Sequence, residues 1–394
     1  MLRAILAVQI HYLYEKIVQV YCDWFMRLTF VIITRNRPQK IRNLVDSILK
    51  TELDSFSIVL IDDSDAKKFL ENRRFLQSLS VPFKHFSSIQ AGENVQKTLE
   101  KIKLSEKERN FINTCTGLAS PFNGYQLNFD SGLRFAPYAP ARNLGIYCAA
   151  KFFNPEIILF LDDDCLLLYP KKLKNHLKLI GTKLGQKTIV AVSGLYKDIP
   201  VSKQKAEKIL EKIVRVLRGM DSFLRKSFKV ESDVRFVVMP PHMLGGALIL
   251  SREVFCSIPF DPYVARGEDH AYALDLKKFL GEGKVAVRDN YFVVGHFKEE
   301  EPKKDNVNVL RDIFRFVYMR VKTGQAFIPF FTLRWLCLSL FRLFTNPLQC
   351  KNQLNELLTL LLLAPKFAKS NAYKYRANIK AWRKFLKIAI KNGH

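Results

Sequence analysis

The stretch LTFVIITRNRPQKIRNLVDSILKTELDSFSIVLIDDSD, residues 28–65, decides the fold class. Leu28 to Thr34 is an apolar, β-branched run of the kind that forms a buried strand. Arg35 to Pro38 breaks it, and Pro38 suits the first turn of a helix. Ile41, Leu44, Val45, Ile48 and Leu49 then recur at helical spacing. Ser57 to Ile61 is a second apolar run, ending in Asp62, Asp63, Ser64 and Asp65, the last read as a turn or cap residue. Strand, helix, strand in this order means a parallel pair and an open α/β sheet.

The same pattern continues downstream. Residues 91–109 read as helical and charged, and residues 110–140 as loop. A short helix is expected at Ala141 (ARNLGIYCAA), then a buried strand at Ile157 to Leu161 running into Asp162, Asp163 and Asp164. A basic helix is expected over 170–186, a strand at 189–193 and a long amphipathic helix over 202–228. Strand-like runs follow at 234–239, 245–250 and 291–295. Between the last two, a turn at Gly267-Glu268-Asp269 leads into a helix. From about residue 305 the chain reads as helical to its end. The expected division is an N-terminal amphipathic helix (1–27), a catalytic domain (28–300) with an insertion near 100–135, and a basic helical extension (301–394).

Composition narrows the partners. The 394 residues carry a formal charge of +26, with 48% apolar residues and 31 Phe. A chain this apolar folds, and a charge this positive favours nucleic acid, anionic headgroups or phosphorylated substrates. The seven cysteines form no CxxC pair, which reads as reduced core thiols in a reducing compartment rather than a zinc site. His11, Tyr12, Tyr14, Glu15 and Lys16 interrupt the N-terminal apolar run, so neither a signal peptide nor a spanning helix is expected there.

The acids carry the chemistry. Carboxylates at the end of a strand lie at the edge where open α/β sheets bind ligands. Three adjacent acids repel one another unless a cation neutralises them. Asp162 and Asp164, on the same side of an extended segment, could flank one Mg²⁺ or Mn²⁺. Asp62 and Asp63 end the second strand and could accept hydrogen bonds from a base or ribose. Asp269 is the candidate general base, Glu268 could orient the acceptor or be the base itself, and a cap at the helix start is the structural alternative. His296, after a strand, could add a metal ligand, and His242 is a weaker candidate. Arg35, Arg37 and Arg142 could face a nucleotide or diphosphate.

The order of VIITRNRP (31–38), VLIDDSD (59–65), ARNLG (141–145), FLDDDC (160–165), GGALILSREVF (245–255) and RGEDHAYALDLKKFLG (266–281) resembles the family 2 glycosyltransferases with the GT-A fold. The resemblance covers roughly residues 29–297. It implies a GT-A-type mixed, mostly parallel sheet flanked by helices, a nucleotide-sugar donor, a divalent metal and an inverting displacement. By the same resemblance, Thr34, Arg35 and Asp62 or Asp63 would hold the nucleoside. Asp162, Asp163 and Asp164 would lie at ribose, diphosphate and metal, and Asp269 would be the base. Gly245 and Gly246 would let the backbone approach the donor sugar or acceptor. Two departures stand out: the segment between the second-strand acids and ARN is some 30 residues longer than the family pattern, and the C-terminal membrane helices of polysaccharide synthases are absent.

Residues 330–394 hold twelve Lys or Arg and one acid, Glu356. With Phe367, Tyr373, Tyr375, Trp382 and Phe385 interleaved, this tail reads as interfacial, on an anionic membrane, or as helices packed on the domain. A cytoplasmic protein, peripheral on the membrane, with a glycan or lipid-linked acceptor, is the expectation. A sugar-phosphate nucleotidyltransferase is the first rival, disfavoured because TRNRP has no glycine for a phosphate loop. A nucleic-acid-binding protein is the second, suggested by charge alone.

Overall fold

The structure is a computed structural model that describes residues 27–121, 138–200, 234–240, 242–264, 266–298, 306–324 and 347–393. The expected helices at 1–27 and 202–228 and the apolar stretch 325–346 lie outside those residues.

The opening unit forms as the sequence dictates. Strand β1 (Leu28–Thr34), helix α1 (Pro38–Leu49) and strand β2 (Ser57–Asp62) follow one another, and β1 pairs with β2 in parallel. Helix α2 (Ala66–Gln77) starts at Asp65, whose carboxylate accepts from the Lys68 N–H, so Asp65 is a cap as expected. Strand β3 (Phe83–Phe86) adds to β2. Helices α3 (Ser88–Leu99) and α4 (Glu106–Cys115) both open with a capping box, Ser87 with Gln90 and Ser105 with Glu108. The second box starts a separate helix within the span 91–109 that reads as helical, and carries it to Cys115, past the loop expected from residue 110.

Helix α5 (Tyr138–Phe153) leads into β4 (Ile157–Asp162) and the short β5 (Cys165–Leu167). The basic helix expected over 170–186 is confined to one 3₁₀ turn and helix α6 (Leu173–Leu177). Gly181 and Gly185 take left-handed φ of 88° and 61°, and β6 (Lys183–Leu184) turns back in a hairpin onto β7 (Lys187–Pro200). A two-residue loop through a left-handed glycine favours this hairpin over a continued helix. Strands β8 (Phe236–Val238), β9 (Ala247–Ser251) and β10 (Lys284–Lys298) complete the sheet. Helices α7 (Arg252–Ser257) and α8 (Glu268–Phe279) separate the last two, and α9 (Asn306–Thr323) and α10 (Pro347–Lys391) follow.

The strand order is β3-β2-β1-β4-β9-β7-β10-β5. It is the expected mixed α/β sheet flanked by helices. Pairing is parallel from β3 through β4 and again between β7 and β10, whereas β9 runs antiparallel to both neighbours. Both faces are covered. Val31, Val59, Ile61, Ile158 and Phe160 point into a layer with α3, α4, α5, α8, α9 and α10. Phe30, Ile32, Ile58, Leu60, Leu159 and Leu161 point the other way, onto α1, α2 and α6. That alternation is the period of a strand, and burial of both faces is why β1, β2 and β4 read as continuous apolar runs.

The C-terminal helix belongs to the domain. Trp382, Phe385, Tyr375 and Phe367 are all fully buried. The Trp382 indole N–H donates to the Phe255 carbonyl at 3.0 Å, the Tyr375 hydroxyl donates to the Pro259 carbonyl at 2.7 Å, and Phe385 stacks on Tyr147. Truncating such a core aromatic to alanine costs about 3–5 kcal/mol. Four of the five rings expected at a membrane interface are therefore core, and only Tyr373 is exposed. The insertion is tied to the same helix through Glu108 and Lys384 at 2.7 Å. Among the described residues, no helix is long and apolar enough to cross a membrane.

Candidate active site

Sheet register assembles the site. Ile33 of β1 lies opposite Asp162, and Thr34 lies opposite Asp62, so the carboxyl ends of β1, β2 and β4 share one edge. On the far side of β4, Leu161 pairs with Ala247 of β9, which brings Gly245 and Gly246 beside Asp162. His296 of β10 pairs with Cys165 of β5 and with Asp198 of β7.

Arg142 of α5 is the hub. It is buried, and its guanidinium donates through Nη2 to Asp162 at 2.8 Å, through Nε to Glu268 at 3.0 Å, and through Nη1 to the Gly245 carbonyl at 2.9 Å. Burial alone would lower its pKa, but the Asp162 and Glu268 carboxylates raise it further than burial depresses it, so the charge stays. Arg142, expected to face a nucleotide or diphosphate, here ties Asp162 to the acid that starts α8.

The three aspartates divide their labour. Asp163 points inward, 6% exposed, accepting from the Thr34 hydroxyl and from Arg37, both at 2.8 Å. It ties the ends of β1 and β4 together, so Thr34 and Asp163 brace the edge. Asp162 and Asp164 keep more exposed side chains, 32% and 20%. The Tyr196 hydroxyl donates to Asp162 Oδ2 at 3.0 Å and accepts from the Gly246 N–H at 3.0 Å. Arg37 also reaches Asp164 at 3.3 Å. Burial, then repulsion from Asp162, pushes the Asp164 pKa up.

The second-strand acids differ in the same way. Asp62 is fully buried and accepts from Asn72 at 2.8 Å, His85 at 2.9 Å and the Ser64 N–H at 2.9 Å. Burial raises its pKa, yet these bonds outweigh it and hold the group below the ordinary range. These three bonds come from within the domain, so Asp62 shapes the turn at the end of β2. Asp63 is half-buried and accepts from the Ser88 N–H at 2.9 Å and the Ser88 hydroxyl at 2.6 Å. Arg35 is exposed at the same edge.

The glycines serve close packing of side chains. A Cβ on Gly245 would stand 2.6 Å from Arg142 Nη2, and one on Gly246 would fall within the atoms of Tyr196 and Asp162. A side chain at either position would displace Arg142, Tyr196 or Asp162. Gly267 precedes α8 with φ of 73°, where a Cβ would meet Arg315. Glu268 is buried against Arg142, and Asp269 is half-buried beside it, accepting its neighbour His270's N–H at 2.7 Å. Burial raises the pKa of both, against the pull of Arg142. His242 is stacked on His270 at 4.1 Å, and burial lowers its pKa to about 4.

The donor set fits a divalent cation. Asp162, Asp164 and Cys165 each offer an atom within 4.8 Å of the others'. Cys165 is buried, and burial keeps its thiol far from ionising, so the working pair is the two carboxylates. His296 Nε2 stands 3.7 Å from Asp164 Oδ1, and its ring stacks on Tyr196 at 4.9 Å. Two close carboxylates and a nearby imidazole suit Mn²⁺ or Mg²⁺ better than a softer metal.

Sequence reading missed Tyr196, Asp198, Ser88, and the His85 and Asn72 pair that holds Asp62. A tyrosine on a strand reads as β-propensity, and nothing in its neighbourhood marks it. Four thiols among the described residues, Cys115, Cys148, Cys165 and Cys256, are free, and burial pushes Cys148 up to about 12.

No protein-family model matches the sequence, and no curated protein does. Solved structures align with it at low identity. The mannosyltransferase PcManGT of Pyrobaculum calidifontis, solved with GDP-Man and Mn²⁺, aligns at 15% identity over 94% of this chain and 87% of its own, with a TM-score of 0.41. TarS of S. aureus (residues 1–349) aligns at 13% identity over 92% and 90%, with a TM-score of 0.43. Glucosyl-3-phosphoglycerate synthase of Mycobacterium tuberculosis, with Mn²⁺, UDP and glucosyl-3-phosphoglycerate, aligns at 16% identity over 76% and 81%, with a TM-score of 0.41. At these values the alignments carry no argument, and the chemistry is read from this chain's own residues.

Proposed function

We propose that this protein is a metal-dependent glycosyltransferase that moves a sugar from a nucleoside-diphosphate donor to an acceptor hydroxyl. The observation that carries the reading is the Arg142 fork. One buried guanidinium fixes Asp162, at the cation edge, and Glu268, next to the candidate base Asp269. One side chain thereby links the carboxylate at the cation edge to the start of the helix that carries Asp269.

Asp162 and Asp164, with His296, would hold Mn²⁺ or Mg²⁺, which when bound offsets the charge that collects on the departing diphosphate. Arg35, Arg37 and Asp63 line the edge where the nucleotide would sit. The acceptor oxygen attacks the anomeric carbon from the face opposite the diphosphate, the bond to the diphosphate oxygen breaks, and Asp269 takes the acceptor's proton. This single displacement inverts the anomeric centre and needs no covalent enzyme intermediate. A raised Asp269 pKa makes that carboxylate a stronger base than an exposed aspartate. The acceptor in this reading is a hydroxyl of a glycan or a lipid-linked saccharide, and the protein is cytoplasmic.

The test is a screen of UDP- and GDP-sugars with Mn²⁺ or Mg²⁺, scored by released nucleoside diphosphate. At least one donor should turn over, and chelation should abolish it. Turnover of no donor, together with no nucleotide binding in the presence of Mn²⁺, would remove the reading.

A further inference from the structure

The outer face of α10 does something the buried face cannot. Its inner side is fixed by Phe367, Tyr375, Trp382 and Phe385, so the helix cannot roll. Opposite them, exposed Lys366, Lys369, Tyr373, Arg376, Lys380, Arg383, Lys387 and Lys391 recur at three- and four-residue steps, a span of about 38 Å at 1.5 Å per residue. No acid occurs in residues 357–394. Three of the cations are engaged: Lys384 with Glu108, Arg383 with the Ser257 hydroxyl, and Arg376 with the Lys322 carbonyl. Lys366, Lys369, Lys380, Lys387 and Lys391 have no acidic partner among the described residues. Tyr373, 73% exposed, lies in the same row.

We infer that this row is a docking surface for a bilayer containing anionic phospholipid. Like charges in a line, without intervening acid, concentrate positive potential along the helix and favour an extended anionic partner. The row lies along the exposed side of one helix, which matches a flat partner. Lysine arms can lay their methylenes along the headgroup boundary while the ammonium reaches phosphate, and an exposed tyrosine suits the same depth. The inference is independent of the sugar-transfer reading.

The full chain is floated with vesicles of phosphatidylcholine, with and without phosphatidylglycerol. Binding is expected only to the anionic vesicles and should weaken with salt. The triple variant K369Q/K380Q/K387Q should bind roughly a hundredfold more weakly, at about fivefold per lysine. K369R/K380R/K387R should bind as the parent does, and both should melt at the parent's temperature. Failure to bind anionic vesicles, unchanged binding by the glutamine variant, or binding to duplex DNA without binding to vesicles would each overturn the inference.

Discussion

Arg142 and Asp162, twenty residues apart in sequence, meet at 2.8 Å at the sheet edge, and the same guanidinium reaches the buried Glu268 at 3.0 Å. This contact couples the strand edge that would hold a cation to the helix that carries the candidate base. Breaking a buried ion pair by removing one partner costs about 3–5 kcal/mol, because the other charge is left without compensation. Arg142→Ala should therefore lower the melting temperature clearly. Arg142→Lys should recover part of the stability but little activity, since an ammonium cannot span Asp162, Gly245 and Glu268 together. Parallel melting and turnover measurements separate the two effects.

Tyr196→Phe removes one bond to Asp162 and leaves the Gly246 N–H without its acceptor. The expected loss of stability is about 1–3 kcal/mol. Mn²⁺ affinity, followed by titration calorimetry, should weaken because Asp162 is no longer held on its Oδ2 side. Wild-type Mn²⁺ affinity in this variant would show that Tyr196 does not position the aspartate.

Gly246→Ala places a methyl group among Tyr196 and Asp162 atoms. Overpacking of this kind costs about 1–3 kcal/mol, and here the displaced groups are the site itself. Catalytic loss should exceed the loss of stability, and Gly281→Ala, where a Cβ meets nothing within 4 Å, is the matched control. Turnover and chemical denaturation of the two variants make the comparison.

How much of this was legible beforehand follows the range of the interactions. Leu28–Thr34, Pro38–Leu49 and Ser57–Asp62 could be read almost to the residue, because local periodicity and Pro38 specify them. The aspartates at the end of β4 were legible for the same reason. Tyr196 was not, since its meeting with Asp162 depends on β9 lying between β4 and β7, an order that no local pattern encodes. Asp62 and Asp63 look alike in sequence, and only the positions of His85, Asn72 and Ser88 turn one inward and leave the other at the edge. The C-terminal aromatics followed the helical period, but which side they faced depended on a domain far away in sequence.

A buried charge cluster under α8 gives a pH test. Lys322 donates to Asp261 at 2.6 Å and to Asp275 at 2.7 Å. Burial raises the Asp275 pKa to about 6, with Lys322 opposing and Asp261 adding to the rise. A carboxyl whose folded pKa lies above its unfolded value favours folding at low pH and loses that contribution as pH rises through the folded pKa. The advantage of Asp275 is thus present below about pH 4, the ordinary aspartate value, and gone above about 6. Asp275→Asn, which keeps the Lys322–Asp261 pair, should gain stability relative to wild type between pH 4 and 7.5. A melting-temperature difference that stays constant over that range would contradict the assignment.

The most direct test of the central claim is sugar transfer by Asp269→Asn, measured with the best donor and Mn²⁺ alongside binding of the nucleoside diphosphate. Removing the general base should cut turnover by about 10²–10⁴-fold while nucleotide and Mn²⁺ binding stay near wild type. In the wild type, the acid limb of kcat/KM should fall above the ordinary aspartate range, because burial raises the Asp269 pKa and only the ionised form accepts the proton. Full turnover by Asp269→Asn, with nucleotide binding intact, would contradict the account.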